Sequence, residues 1–223
     1  MDTSSSTATE SDRFALLAAT VPTETDRPAI PVEAPYSGDT IGTIPAGTGD
    51  DVRAAVERAT EAQRGWAETS VQRRAETMLR FHDLVLDRRS DLLDVVQRES
   101  GKARVDGFEE ILDVATTARH YAYRAADYLD SERRKGAFPL LTRTTVHREP
   151  VGVVGIISPW NYPLTLAISD AIPALLAGNA VVLKPASETP FSALLLRDLL
   201  REAGVPDDAF QVVTGTGSEA GGA

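Results

Sequence analysis

The feature that most constrains the fold is an alternation of strand and helix patterns in the last third of the chain. Residues 151–157 are almost wholly apolar and β-branched, which is typical of a strand covered on both faces. A helical stretch over about 164–177, a second buried strand over 180–183, a helix over 191–203 and a third strand over 210–214 follow. Right-handed crossovers would place the three strands of this β-α-β-α-β unit parallel in one sheet.

Three polar segments come directly after these strands. They are residues 158–163, 184–190 and 215–218. In a parallel sheet the residues that follow each strand meet at the same edge, where open α/β sheets bind their ligands. The sequence therefore predicts an α/β protein with a partial Rossmann-like parallel sheet and a ligand site at its carboxyl edge.

Asn161 is the candidate catalytic residue of the first segment. Pro159 and Pro163 bracket it and restrict the backbone around it. A side-chain amide there can donate hydrogen bonds to a developing oxyanion without introducing a charge. The alternative is a turn asparagine that is hydrogen-bonded within its own loop.

Lys184 is the candidate binding residue of the second segment. It is the last lysine of the chain and it ends the second predicted strand. An ammonium group at that place can bind the hydroxyls or phosphates of a nucleotide. The alternative is a lysine that extends along the sheet edge towards solvent.

Composition narrows the function classes. Of the 223 residues, 33 are acidic and 23 basic, which gives a net charge of −10 and argues against nucleic-acid partners. The chain has no cysteine, so it holds no disulfide, no cysteine-ligated metal and no thiol nucleophile. No apolar run approaches the ~20 residues of a membrane span, and the polar N-terminus does not resemble a signal peptide. We expect a cytoplasmic protein without membrane contact.

The basic residues are three lysines and twenty arginines, out of 23 in all. An acidic surface with so little lysine indicates a salt-rich cytoplasm, in which repulsion between carboxylates is screened. The alternative is an ordinary acidic protein encoded by a GC-rich genome.

Patterning divides the chain into four parts. Residues 1–31 are rich in Ser, Thr, Asp and Glu, which predicts a disordered, solvated tail. Residues 32–135 form a strand-and-turn segment followed by helices, and 136–150 form a separate β segment. The parallel β-α-β-α-β unit then occupies 151–223.

Within the second and third parts, local signals place individual elements. Apolar steps of three and four residues predict four helices between about 50 and 129. Ser70 and Ser90 are predicted N-caps, and Gly101 is predicted to end the third helix. The alternation over 142–148 predicts a strand that is exposed on one face.

Several short motifs together resemble the aldehyde dehydrogenase superfamily, over roughly residues 35–223. They are Gln63-Arg64-Gly65-Trp66, Glu99-Ser100-Gly101-Lys102, Glu149-Pro150-Val151-Gly152, Pro159-Trp160-Asn161-Tyr162-Pro163, Ala177-Gly178-Asn179 and the segment from Lys184 to Pro190. Within that family the chain is most similar to succinate-semialdehyde dehydrogenase-like members. The resemblance implies the N-terminal, cofactor-binding part of the fold, with the sheet incomplete.

The resemblance also implies a reaction and a set of site residues. In the family, a cysteine thiolate attacks an aldehyde, hydride passes to NAD or NADP, and water releases the carboxylic acid. Asn161 matches the residue that stabilises the oxyanion, and residues 142–148 match part of a hairpin that builds the homo-oligomer. The residues assigned to cofactor binding are Trp160, Asn161, Lys184, Pro185, Ala186, Ser187 and Gly215.

Three departures from the family pattern shape these expectations. The cysteine is absent, which predicts that this chain is inactive by itself; the alternative is a non-catalytic nucleotide-binding or oligomerisation remnant. Ser187 stands where many NAD-preferring members carry a glutamate, so we expect NADP to be accepted. Ser169 stands where succinate-semialdehyde enzymes place a substrate-binding arginine, and the acid Asp170 follows it, which disfavours a carboxylate substrate.

Overall fold

The computed structural model describes residues 10–23, 25–138 and 141–223. The α-helices of these ranges are α1 (Glu10–Ala19), α2 (Gly49–Glu68), α3 (Val71–Asp87), α4 (Arg89–Ser100), α5 (Arg104–Leu129), α6 (Thr165–Ile168), α7 (Ala171–Leu176) and α8 (Pro190–Ala203). The strands are β1 (Ala29–Glu33), β2 (Thr40–Pro45), β3 (Glu132–Lys135), β4 (Arg143–Val146), β5 (Val153–Ile157), β6 (Ala180–Lys184) and β7 (Phe210–Val212). A short 3₁₀ helix over Asp207–Ala209 precedes β7.

The last three strands form the parallel sheet that the sequence predicts. Their order is β5-β6-β7, and both pairs are parallel. In the register, Val153 pairs with Ala180 and Val182 pairs with Gln211. The α/β class and the β-α-β-α-β unit are thus confirmed.

The prediction that residues 151–157 are covered on both faces is wrong. All five residues of β6 are buried, whereas β5 is partly open and Ile157 is 69% exposed. Strand order alone does not explain this, because β7 also has a single neighbour in the described sheet and all three of its residues are buried; β5 is the strand that the packed helices leave partly uncovered. Apolar composition alone does not distinguish a central strand from an edge strand.

The single helix predicted over 164–177 is instead two short helices, α6 and α7. They are separated at Ser169 and Asp170. Pro173 lies in the first turn of α7, and its ring would clash with the carbonyl of Ser169 in a continuous helix. The proline therefore explains the interruption.

The helical layer follows most of the predicted boundaries. The hydroxyl of Ser70 accepts a hydrogen bond from the Arg73 amide at the start of α3, as predicted. Gly101 ends α4 with φ of 72°, in the left-handed region that favours glycine. Ser90 is not a cap, because α4 follows α3 after the single residue Arg88 and already includes position 90.

The prediction of a disordered tail over 1–31 is wrong for the described residues within it. Helix α1 buries Phe14 and Leu17, and the Phe14 ring lies 4.7 Å from that of Phe191 in α8. Strand β1 also begins within the predicted tail, at Ala29. The acidic and hydroxyl-rich composition obscured the apolar spacing of α1. Residues 1–9 and 24 lie outside the described residues.

The predicted strand over 142–148 is β4, and it pairs with β3 in an antiparallel hairpin. Strand β3 falls at the end of the part 32–135, after the last helix predicted there. Every residue of β4 is exposed, so the expectation of one covered face is wrong. The hairpin projects from the core, and residues 139–140 at its turn lie outside the described residues.

The helical layer packs directly on the crossover between β5 and β6. The indole Nε1 of Trp66 donates to the Leu175 carbonyl at 2.8 Å, and Nε of the buried Arg74 donates to the Leu176 carbonyl at 2.9 Å. One apolar core extends from Phe14 to Ala220. Over the described ranges, we find no helix with both the length and the apolarity of a membrane span.

Candidate functional site

Two hydrogen bonds join the three polar segments at the carboxyl edge of the sheet. The Ser158 amide donates to the Lys184 carbonyl at 3.1 Å, which links the segment after β5 to the end of β6. The Ser187 hydroxyl donates to the Gly215 carbonyl at 2.9 Å, which links the segments after β6 and β7. The three segments therefore form one continuous rim, as their positions in the sequence predict.

Lys184 is buried at the end of β6. Its Nζ donates to the adjacent Pro185 carbonyl at 2.6 Å, so the side chain does not extend into solvent. Burial lowers the pKa of the Lys184 ammonium, and the carboxylate of Glu188 opposes this shift. Lys184 also lines an apolar groove of about 330 Å³, together with Ile157 and Val213. A partly desolvated cation there can bind the oxygens of a nucleotide more strongly than an exposed one.

The residues after Lys184 form a tight turn. Pro185 is buried, and the carbonyl of the half-buried Ala186 accepts a hydrogen bond from the Thr189 amide at 3.3 Å. The half-buried Ser187 is fixed by its bond to Gly215. This geometry fixes the backbone of the turn and presents a neutral hydroxyl at position 187.

Gly215 occupies a position that only glycine fits. Its φ is 140°, and a Cβ added there would lie 2.5 Å from the Gly47 carbonyl oxygen. The close approach arises because the Gly47 amide donates to the Thr214 carbonyl at 3.1 Å. The turn after β7 is thus held against the segment that follows β2.

Trp160 and Asn161 lie on the outer side of the rim. The Trp160 side chain is 61% exposed, and Asn161 is also exposed. Among the described residues, none hydrogen-bonds the Asn161 amide, so the alternative of a turn asparagine bonded within its loop finds no support. Trp160 and Ser187 both line a cavity of about 560 Å³, which brings the first and second segments to one opening.

Glu99 borders the same cavity, and sequence reasoning did not assign it a role. Its carboxylate accepts the backbone amides of Phe191 and Ser192 at the start of α8, both at 2.8 Å. Burial raises the pKa of Glu99 to about 8; hydrogen bonds from Ser192 and Phe191 oppose the rise, and nearby Glu110 adds to it.

Glu110 is the second buried acid that was missed. It accepts the backbone amides of Leu164 and Thr165, at 3.0 and 3.2 Å, and the ammonium of Lys102, at 2.5 Å. A signal was present in the sequence, because Glu110 falls on the apolar face of α5. An acid at a core position is rarely buried without such partners.

The rim offers a cation, a hydroxyl, an exposed indole and an exposed amide at one edge of a parallel sheet. Such groups can hold a nucleotide: the ammonium binds hydroxyl or phosphate oxygens, and the indole gives an apolar surface. In the described part of the chain, no group of three or more acidic or histidine side chains is placed to hold a metal ion.

The aldehyde dehydrogenase family model matches residues 21–223. A Mycolicibacterium smegmatis protein with the name "Putative succinate-semialdehyde dehydrogenase (NADP+)" is 52% identical over 195 residues. The crystal structure of an E. coli NADP-dependent enzyme matches with a TM-score of 0.83 and 35% identity. That of a Burkholderia pseudomallei succinate-semialdehyde dehydrogenase matches with a TM-score of 0.83 and 32% identity.

These matches cover 87% of this chain, but only 38% of the M. smegmatis protein and 40% of each solved chain. The chain thus spans about two fifths of the length of the relatives that it matches. The region matched by the family model includes every element from β1 to β7 and all three segments of the rim. The chain belongs to the aldehyde dehydrogenase family.

Proposed function

We propose that the chain is the N-terminal, cofactor-binding part of an NAD(P)-dependent aldehyde dehydrogenase that oxidises an aldehyde to the carboxylic acid. The observation that carries this proposal is the continuous rim, in which Ser158 is bonded to Lys184 and Ser187 to Gly215. A rim of this kind at the carboxyl edge of a parallel sheet is where dinucleotides bind.

The proposed roles follow from the position of each group. Lys184 and Ser187 hold the adenosine ribose, Gly215 gives the backbone turn beside the adenine, and Trp160 flanks the cofactor. When bound, the nicotinamide cofactor accepts a hydride from the substrate carbon. The exposed Asn161 amide donates to the oxygen of the aldehyde as negative charge develops on it.

Because the chain contains no cysteine, the thiol step of the family reaction is not carried by this polypeptide. We propose that the chain by itself is inactive in aldehyde oxidation. The second candidate is a non-catalytic nucleotide-binding or oligomerisation remnant of the family. Both candidates predict that the chain binds a nucleotide at the rim or assembles through the β3–β4 hairpin. Only the first candidate predicts aldehyde oxidation when a cysteine-containing partner polypeptide is present.

The cofactor preference is proposed from Ser187. A neutral hydroxyl at this position does not repel the 2′-phosphate of NADP, whereas a carboxylate would repel it. We expect Ser187→Glu to weaken NADP+ binding relative to NAD+ by about tenfold or more, which corresponds to about 1.4 kcal/mol.

Calorimetric titration of the chain with NADP+ and with NAD+ measures this ratio. Ser187→Ala is the matched control, because it removes the bond to Gly215 without adding charge. A wild-type chain that binds NADP+ ten times more weakly than NAD+ would contradict the assignment.

For the substrate, the resemblance favours succinate semialdehyde, but the local charges favour an aldehyde without a carboxylate. The Ser169 hydroxyl donates to the Asp113 carboxylate at 3.4 Å, and the exposed Asp170 follows directly. Two acids close to the segment of Asn161 would repel a substrate carboxylate.

The remaining proposals rest on the sequence. We propose the division into parts 32–135, 136–150 and 151–223, a homo-oligomer assembled through the β3–β4 hairpin, a cytoplasmic location and adaptation to high salt. The exposed side chains along β4 are compatible with assembly, since they are available to a second copy.

A further inference from the structure

The segment that carries Asn161 is anchored at both of its ends. We call residues 158–163 the Asn161 loop. At the first end, the Ser158 amide donates to the Lys184 carbonyl at 3.1 Å. At the second end, the amides of Leu164 and Thr165 donate to the Glu110 carboxylate at 3.0 and 3.2 Å.

The Glu110 anchor is buried. Its side chain is 1% exposed, and it comes from α5, more than fifty residues away from the loop in the sequence. The amides that it accepts stand at the start of α6, where backbone N–H groups have no partner within the helix. A carboxylate suits this position, because it satisfies two such donors and faces the positive end of the peptide dipoles.

Lys102 adds a second contact on the same loop. Its Nζ lies 2.5 Å from Oε1 of Glu110 and 3.8 Å from the centroid of the Tyr162 ring. The ammonium thus balances the buried carboxylate and makes a cation–π contact with the residue directly after Asn161. Lys102 follows Gly101, whose left-handed conformation ends α4 and turns the chain towards α5.

We infer that Lys102 and Glu110 are positioning residues, which hold the Asn161 loop in the arrangement that receives the nicotinamide cofactor. This inference rests on the proposed function, because it takes the cofactor to lie beside Trp160 and Asn161. Neither residue touches the cofactor in this account. A loop that is competent for only a tenth of the time binds with a tenfold higher apparent dissociation constant.

The test uses the two tryptophans of the chain as reporters. With 5-fluorotryptophan, Trp160 on the loop and the buried Trp66 give separate fluorine resonances, and Trp160→Phe assigns them. In Glu110→Gln, the amide oxygen still accepts the two N–H groups, but its NH₂ faces the Lys102 ammonium. We expect the Trp160 resonance to broaden or split and the NADP+ dissociation constant to rise about tenfold.

Asp51→Asn is the matched control. Asp51 is also a buried carboxylate at the start of a helix, where it accepts Arg27 Nε at 2.9 Å and the Thr48 amide at 2.8 Å. It lies in α2 and makes none of the contacts described for the Asn161 loop. We expect Asp51→Asn to leave the Trp160 resonance unchanged, even if it lowers stability as much as Glu110→Gln.

Combining Lys102→Met with Glu110→Gln removes the ammonium group that would otherwise face the new side-chain NH₂ group at position 110. We expect the double variant to disturb the Trp160 resonance and the NADP+ dissociation constant no more than Glu110→Gln alone, because both substitutions break the same ion pair. A general loss of packing would instead make the double variant worse than Glu110→Gln. Equal effects of Glu110→Gln and Asp51→Asn on Trp160 would also overturn the inference.

If Glu110→Gln does not fold, Lys102→Gln tests the same contacts, because Lys102 is the half-buried partner of the ion pair. An unchanged Trp160 resonance in Lys102→Gln would contradict the inference. If the wild-type chain does not bind NADP+, the proposed function fails. The Trp160 resonance measures the loop without nucleotide, so it still decides whether the two residues position that loop.

Discussion

Two buried glutamates join the helical layer to the sheet unit, and they do so with different chemistry. Glu99 in α4 and Glu110 in α5 each accept two backbone amides at the start of a later helix. Glu110 also binds the ammonium of Lys102 at 2.5 Å. At Glu99, burial instead raises the pKa to about 8.

The difference shows how one type of contact can serve two purposes. An ion-paired carboxylate such as Glu110 holds its donors through charge–charge and charge–dipole attraction, and the loop it holds contains the candidate catalytic residue. At Glu99 the cost of burying a charge favours the protonated form. We therefore expect the attachment of α8 at Glu99 to depend on pH.

The largest expected effect comes from breaking the ion pair. Glu110→Ala leaves Lys102 without its carboxylate and the amides of Leu164 and Thr165 without an acceptor. Removing one partner of a buried pair costs about 3–5 kcal/mol. Urea unfolding followed by circular dichroism measures the loss. A loss below about 1 kcal/mol would show that the pair does not hold the two layers together.

The next effect is the pH dependence that Glu99 contributes. Burial raises the pKa of Glu99 from its ordinary value of 4.5 to about 8. Between these two pH values, the folded state therefore retains a proton that the unfolded state releases. This contribution to stability is fully present below pH 4.5 and is lost as the pH rises towards 8. We expect a loss of about 4 kcal/mol over that interval.

Glu99→Gln is the matched variant for this prediction. Its neutral amide cannot ionise, and its oxygen accepts one of the two backbone amides, since Phe191 and Ser192 donate to different oxygens of Glu99. Urea unfolding at several pH values between 5 and 8 should give a flatter profile for the variant. If both profiles have the same slope, Glu99 is ionised throughout, and the contrast with Glu110 disappears.

The smallest expected loss of stability is that of an ordinary helix cap, Ser70, with which the losses at Glu99 and Glu110 can be compared. Ser70 caps α3 with a neutral hydroxyl, which accepts the Arg73 amide at 3.3 Å on the surface. Ser70→Ala should lower the free energy of unfolding by about 1 kcal/mol. A loss as large as that of Glu110→Ala would mean that the acids act as ordinary helix caps.

Local signals explain what could be predicted from the sequence. The apolar strand patterns, the turn glycines and the prolines around Asn161 predicted a parallel sheet and a candidate site at its carboxyl edge. These signals depend on neighbours in the sequence, and so does the Ser70 cap. The sequence pattern alone therefore located Asn161 and Lys184 on one rim.

Contacts between distant residues explain what could not be predicted. The edge position of β5 depends on strand order, which no property of residues 151–157 encodes. The Glu99 carboxylate accepts a backbone amide that lies 92 residues away in the sequence, and the Glu110 carboxylate accepts one that lies 54 residues away. The interruption at Ser169 could have been foreseen from Pro173, and α1 from the spacing of Phe14 and Leu17.

In the proposed function, one nucleotide lies across the rim and contacts all three segments. Titration of the isotope-labelled chain with NADP+, followed by NMR, tests it directly. We expect the Trp160 indole and the Asn161 side-chain amide to shift with the same dissociation constant as the backbone amides of Ser187 and Gly215. Shifts confined to one segment, or none at millimolar NADP+, would contradict the account.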